Sequence, residues 1–179
     1  MMIPALARAG AVPIVFEIPA DKNPSNAFVH FRTSTANFSG RYLDANGNSV
    51  SLLKNTPYSL ATLTSTNSVG GGAPSNKPAV LISNFISGRI YFNYGSTGLV
   101  GLSDAYIPAA QTSSDSNYYT RYAYLEPTVQ ASGSGAKITA NLTYIDFFGL
   151  SLSLQAVNAP HAVNNPQLSA YGQEMVDAV

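Results

Sequence analysis

Short β-prone runs recur along the chain between turn signals. Residues 12–18 form the first. Residues 27–32 alternate, with Phe28, His30 and Arg32 on one face and Ala27, Val29 and Phe31 on the other. Residues 38–43 lead into Asp44-Ala45-Asn46-Gly47, where Asn-Gly supplies the positive φ of a hairpin turn, and residues 50–53 are expected to return as a strand. Residues 58–63 are a weaker run. Residues 79–86 and 89–94 bracket Ser87-Gly88. In the second of these, Ile90, Phe92 and Tyr94 fall on one side and Tyr91 and Asn93 on the other. Late in the chain, Leu150, Leu152 and Leu154 alternate with Ser151 and Ser153. Residues 64–78 contain Gly70-Gly71-Gly72 and two prolines and read as a long loop on a rim; residues 95–119 read as irregular. About ten short strands at this spacing predict an all-β fold, a sandwich or barrel of antiparallel strands. It is expected to occupy residues 12–160, followed by a tail at 161–179 with a minor C-terminal helix after Pro166.

The two remaining runs each carry one acid. Thr120–Gln130 holds Glu126, and the run from Lys137 to Gln155 holds Asp146; Ala131-Ser132-Gly133-Ser134-Gly135-Ala136 separates them. Glu126 sits among Tyr124, Leu125 and Val129, and Asp146 among Tyr144, Ile145, Phe147 and Phe148. A carboxylate in such surroundings is costly to desolvate unless it is hydrogen-bonded or faces a wet cleft. A pair of carboxylates lining a sugar-binding groove accounts for both. If the runs form a tight hairpin turning at Ser134, Glu126 faces Leu142, and Asp146 lies four residues, or roughly 13–14 Å, further along. If residues 130–136 form a broad loop, Glu126 lies opposite Asp146; this second arrangement is the expected one.

Composition narrows the partners. Charged residues make up only 10% of the chain, with nine basic and nine acidic residues and no basic run. Binding of nucleic acid by phosphate neutralisation is not expected. The sequence contains no cysteine, and His30 and His161 lack metal-ligand spacing, so neither thiolate chemistry nor a metal or other cofactor is implied. No apolar run is long enough to cross a membrane as a helix, and the N-terminal stretch, broken by Pro4, Arg8 and Pro13, is not read as a signal peptide. A surface of Asn, Ser, Thr and Tyr suits neutral, hydroxyl-rich ligands and an extracellular setting.

Four pieces together resemble glycoside hydrolase family 64, the β-1,3-glucanases whose first domain is a thaumatin-like β-barrel. They are GRYLDANGN at 40–48, GRIYFNYG at 88–95, YLEPTV at 124–129 and YIDFFGLSLSL at 144–154. The resemblance implies an inverting, endo-acting hydrolase of β-1,3-glucan, with Glu126 as general acid and Asp146 as general base; the chain is expected to be secreted and monomeric. It places Thr128 in the glucan groove; Tyr124, Tyr144 and Gln130 are expected as further substrate contacts on the same runs. The chain departs from the family in lacking tryptophan and in ending short of the second, mixed α/β domain, as a truncated member would.

Each residue also has a plainer reading. Glu126 can be a strand carboxylate paired with Arg121, Asp146 a buried acid capping turn amides, and Thr128 an ordinary strand threonine. Among Tyr118, Tyr119, Tyr122, Tyr124 and Tyr144, one or two are expected to touch sugar and the others to pack. Arg89 and Arg121 are expected to pair with acids, and His30 to be a satisfied imidazole. Asn37 and Asn141 begin N-glycosylation acceptor patterns. Besides a hydrolase, the sequence permits a non-catalytic glucan-binding module of the same fold, or a structural β-sandwich with no sugar site.

Overall fold

The computed structural model describes residues 10–69, 75–109, 111–132, 135–142, 149, 150 and 152. Among them are nine strands and a single 3-10 turn at Pro24–Asn26. The strands are β1 (Val12–Val15), β2 (Ala27–Arg32), β3 (Ser39–Leu43), β4 (Ser49–Ser51), β5 (Pro57–Ser59), β6 (Ala79–Phe85), β7 (Arg89–Tyr94), β8 (Tyr122–Ser132) and β9 (Gly135–Leu142). All pairings are antiparallel, in the order β4-β3-β6-β8-β7-β2-β5, with β1 on β6 and β9 on β8. The fold is all-β, as the spacing of apolar runs predicts. Among the described residues no helix is long and apolar enough to cross a membrane. The helix expected after Pro166 lies outside the described residues.

The sheet curls until its ends meet. β3 and β5 stand near opposite ends of the strand order, yet the Tyr42 and Tyr58 rings lie 5.7 Å apart. Residues 52–56 bridge the gap: the amides of Leu52, Leu53 and Asn55 donate to the Gly40 carbonyl, the Tyr58 hydroxyl and the Phe31 carbonyl. The inner face holds the main core, with Phe16, Val29, Phe31, Leu63, Ile82, Phe85, Ile90 and Val129 buried together. Phe31 is its centre, packing against Phe16, Phe38, Tyr58 and Phe85. The short β3–β4 hairpin turns where the sequence places it. Gly47 has φ of +82°, and Asp44 ties the turn by accepting from the amides of Asn46 and Asn48.

β6 and β7 run one after the other along the same edge of β8. Phe85 pairs with Val129 and Ile90 with Leu125, so four residues (86–89) face three (126–128). This one-residue excess is a bulge, with Ser87 at φ +49°, and it bends the strand around the core. Glu126 lies on β8 opposite this bend.

The β8–β9 connection differs from the expected broad loop at 130–136. The ladder continues from Leu125↔Leu142 to Ser132↔Gly135, leaving only residues 133 and 134 between the two strands. Glu126 therefore pairs with Asn141 across the strands, and Asp146 does not stand opposite it in this register. Ser132 and Gly135 are accommodated within the strands themselves, so β8 and β9 are joined closely.

The described residues of 95–119 contain no strand or helix, as expected, but the segment to residue 120 is tightly fastened over the outer face of the sheet. The Asp115 carboxylate accepts from the Tyr106 hydroxyl at 2.7 Å and from the amides of Ala109 and Asn117. Asn117 exchanges two hydrogen bonds with the main chain of Val100. The segment is anchored to the sheet by Arg32, which donates to the carbonyls of Ser103 and Asp104, and by Asn93, which donates to the carbonyl of Thr97. Leu99 of this segment packs with Tyr91, Tyr122 and Tyr124 of the sheet in a buried cluster separate from the main core.

Candidate active site

β8 carries four of the six site residues inferred from sequence on one face. Alternation sends Leu125 and Val129 inward to the core and Tyr122, Tyr124, Glu126, Thr128 and Gln130 outward. Registers extend this face sideways. On β7 it carries Arg89, Tyr91 and Asn93; on β9 it carries Lys137, Thr139 and Asn141, opposite Gln130, Thr128 and Glu126.

The face changes character along β8. At the Tyr122 end it is sealed by residues 95–120, and Tyr122 and Tyr124 are 1% and 5% exposed. From Glu126 onward it opens. Glu126 and Thr128 are half-buried, while Gln130, Lys137, Thr139 and Asn141 are exposed. The open part is a strip of hydroxyl and amide side chains with one carboxylate at its inner end and one ammonium, Lys137, at its outer end. Such a strip presents donors and acceptors at the spacing of strands and carries little charge, which matches a neutral polyhydroxylated chain better than an ionic ligand.

Glu126 is held by an ion pair. Nε of Arg89 donates to Oε1 at 2.8 Å, and the two side chains are 25% and 36% exposed. The sequence offered Arg121 as a partner for Glu126. Arg121 is exposed and joins no ion pair among the described residues, whereas Arg89 is the cross-strand neighbour. The Arg89 guanidinium also lies 4.4 Å from the centroid of the Tyr124 ring, a cation–π contact. Tyr91 packs 5.4 Å from Tyr124 beneath it. Burial opposes the charge on Arg89, but the Tyr91 hydroxyl, Tyr124 and Glu126 outweigh it, so its proton is held more tightly than usual. Burial likewise pushes the Tyr91 phenol up, partly offset by Arg89.

Tyr124 is thus covered by Arg89 and offers little ring to solvent. Tyr119, 91% exposed and edge-on to Tyr118 at 4.9 Å, is the most open aromatic side chain among the described residues. Asp146 and Tyr144 lie outside the described residues. Their flanks do not: Leu142 pairs with Leu125, and a Cβ on Gly149 would collide with the carbonyl of Tyr122. The chain on both sides of Asp146 therefore rests on β8, the strand that carries Glu126. Among the described residues no three His, Asp or Glu side chains group as metal ligands do.

Thr139 and Asn141 were not singled out from sequence as members of this face. The signal was present, because they alternate with Ile138 and Ala140, but their alignment with Glu126 depends on the hairpin register.

The chain has no significant match among curated proteins or among solved structures. The β-1,3-glucanase profile of glycoside hydrolase family 64 matches residues 14–178, nearly the whole sequence. The chain belongs to the β-1,3-glucanases of glycoside hydrolase family 64.

Proposed function

We propose that this chain hydrolyses β-1,3-glucan with inversion at the anomeric carbon, Glu126 serving as general acid and Asp146 as general base. The observation that carries this reading is the alignment of Glu126, Thr128 and Gln130 on one open, nearly uncharged face of β8 in a chain of this family. In the reaction, Glu126 gives its proton to the glycosidic oxygen as the C1–O bond breaks. Asp146 takes a proton from a water whose oxygen bonds to C1 from the opposite side. This requires the carboxyl groups to stand roughly 6.5–9.5 Å apart. The observed register puts Asn141 opposite Glu126, so this spacing requires the chain between Leu142 and Gly149, both of which lie against β8, to bring Asp146 back toward Glu126. Oε1 of Glu126 is engaged by Arg89, which leaves Oε2 to carry the transferable proton.

Thr128 and Gln130 bind sugar hydroxyls along the strip, and Tyr144 adds a ring near Asp146; Tyr124 acts from beneath, through Arg89. The setting is a thaumatin-like β domain over residues 12–160, secreted and monomeric, that uses no cofactor. One observation favours a second reading, a glucan-binding module without catalysis: the Glu126 ion pair resembles that of an architectural acid.

Incubation with laminarin and with an insoluble β-1,3-glucan separates the two. The hydrolase releases reducing ends, and Glu126→Gln and Asp146→Asn each lower that rate by about 10²–10⁴-fold while folding normally. Sedimentation with the insoluble glucan without release of sugar leaves the binding module, and neither activity leaves a structural domain.

A further inference from the structure

We infer that Arg89 is the positioning residue for the Glu126 carboxyl, fixing which oxygen faces the substrate. The inference rests on the reading of Glu126 as proton donor. A half-exposed glutamate on a strand has three side-chain torsions to order before it can deliver a proton in one direction, and misplacement by about 1 Å can cost about 10²-fold in rate. Here the Nε–H of Arg89 fixes Oε1 at 2.8 Å.

Arg89 is itself immobilised. It is the last residue of the bulge at residues 86–89, its guanidinium carbon lies over the Tyr124 ring 4.4 Å from the centroid, and Tyr124 packs on Tyr91, which is 1% exposed. Tyr91 in turn packs against Tyr122 at 5.9 Å under the fastened segment 95–120. The result is a continuous stack from a buried aromatic cluster to one carboxyl oxygen. A lysine has no planar head to lie on Tyr124 while donating sideways to Glu126, so arginine is specifically suited. The charge also acts in the right direction, because Glu126 becomes an anion as its proton leaves and the guanidinium is already in place to stabilise it.

The test compares two substrates in the same sample, so that any unfolded fraction cancels. Laminarin needs its leaving oxygen protonated; an aryl β-1,3-oligoglucoside with a nitrophenol leaving group does not. Arg89→Gln is expected to lower kcat on laminarin by about 10–100-fold with little change in KM, and to lower the rate on the nitrophenyl substrate by less than about threefold. Arg89→Lys is expected to recover only part of the loss. In the Arg89→Gln/Glu126→Gln double variant, activity on laminarin is expected to equal that of Glu126→Gln alone, since Arg89 then has no donor to position. Equal losses on both substrates, or no loss on laminarin, overturn the assignment. If Glu126→Gln itself is slowed equally on both substrates, it is the role of Glu126 as acid that fails, and the role of Arg89 with it.

Discussion

The main chain at Gly149 lies so close to that of Tyr122 that any side chain there would strike the Tyr122 carbonyl. Tyr122 begins the strand bearing Glu126, and Gly149 follows Asp146 by three residues. Gly149→Ala is therefore expected to do two things. Overpacking against backbone destabilises by about 1–3 kcal/mol, read from urea unfolding. Hydrolysis of laminarin at a temperature where the variant is still folded falls further than that loss of stability accounts for, because the anchor beside the proposed base has moved.

Thr128 and Gln130 should report on binding more than on chemistry. As proposed substrate contacts, each would contribute at most a few neutral hydrogen bonds to sugar, of about 0.5–1.5 kcal/mol net. Thr128→Val and Gln130→Ala are expected to raise KM for soluble β-1,3-glucan by about 2–10-fold, with kcat nearly unchanged. A large fall in kcat with constant KM would move either residue into the proton-transfer machinery.

His30 gives the fold an acid-sensitive point. The ring is fully buried; Nε2 accepts the Leu99 amide at 3.1 Å and lies 3.0 Å from Oδ1 of Asn93, while Nδ1 has no hydrogen-bond partner among the described residues. Burial pushes its pKa down to about 4 from an ordinary 6.5, against a smaller opposing effect of Asn93. The unfolded chain thus binds a proton at a pH where the folded chain does not. Stability is at its full value above about pH 6.5 and declines as pH falls toward 4, by roughly 3 kcal/mol at most. Unfolding titrations at pH 7 and 4.5 measure the difference, and His30→Gln should flatten it. Asp115, where hydrogen bonds outweigh burial and hold the carboxyl low, contributes its own loss only at lower pH.

Asp115 also fixes the segment over the tyrosine cluster. Asp115→Ala removes the acceptor for Tyr106 and for two amides, and is expected to cost about 1–3 kcal/mol. Tyrosine nitration followed by peptide mapping should show Tyr91 and Tyr122 becoming reactive. Unchanged protection of both would mean that the segment is held down by its other anchors alone.

Much of the architecture was readable from alternation and turn chemistry. The 89–94 run is β7 over the same six residues, and Asn46-Gly47 closes the β3–β4 hairpin. The β8–β9 register was not readable. ASGSGA reads as a wide loop because Gly and Ser dominate, yet the ladder runs through all but two of its residues. The partner of Glu126 was half readable. Strand parity places residue 121 on the opposite face from 126, which disfavours Arg121, but selecting Arg89 requires the pairing of β7 with β8, a contact between residues 37 apart. The fastening of residues 95–120 over His30 and Tyr91 depends on side chains capping distant carbonyls, and no local pattern encodes that.

The contact between Tyr42 and Tyr58 works like the clasp of a bracelet. The curvature of the sheet is fixed where two rings and five linking residues join its ends, rather than by an unbroken ladder of main-chain bonds. The outer surface of β8 and β9, the proposed path of the glucan, is the back of the same curled sheet that this contact closes. A protein engineer seeking to reshape that path would have two places to work, the strip itself and the clasp behind it.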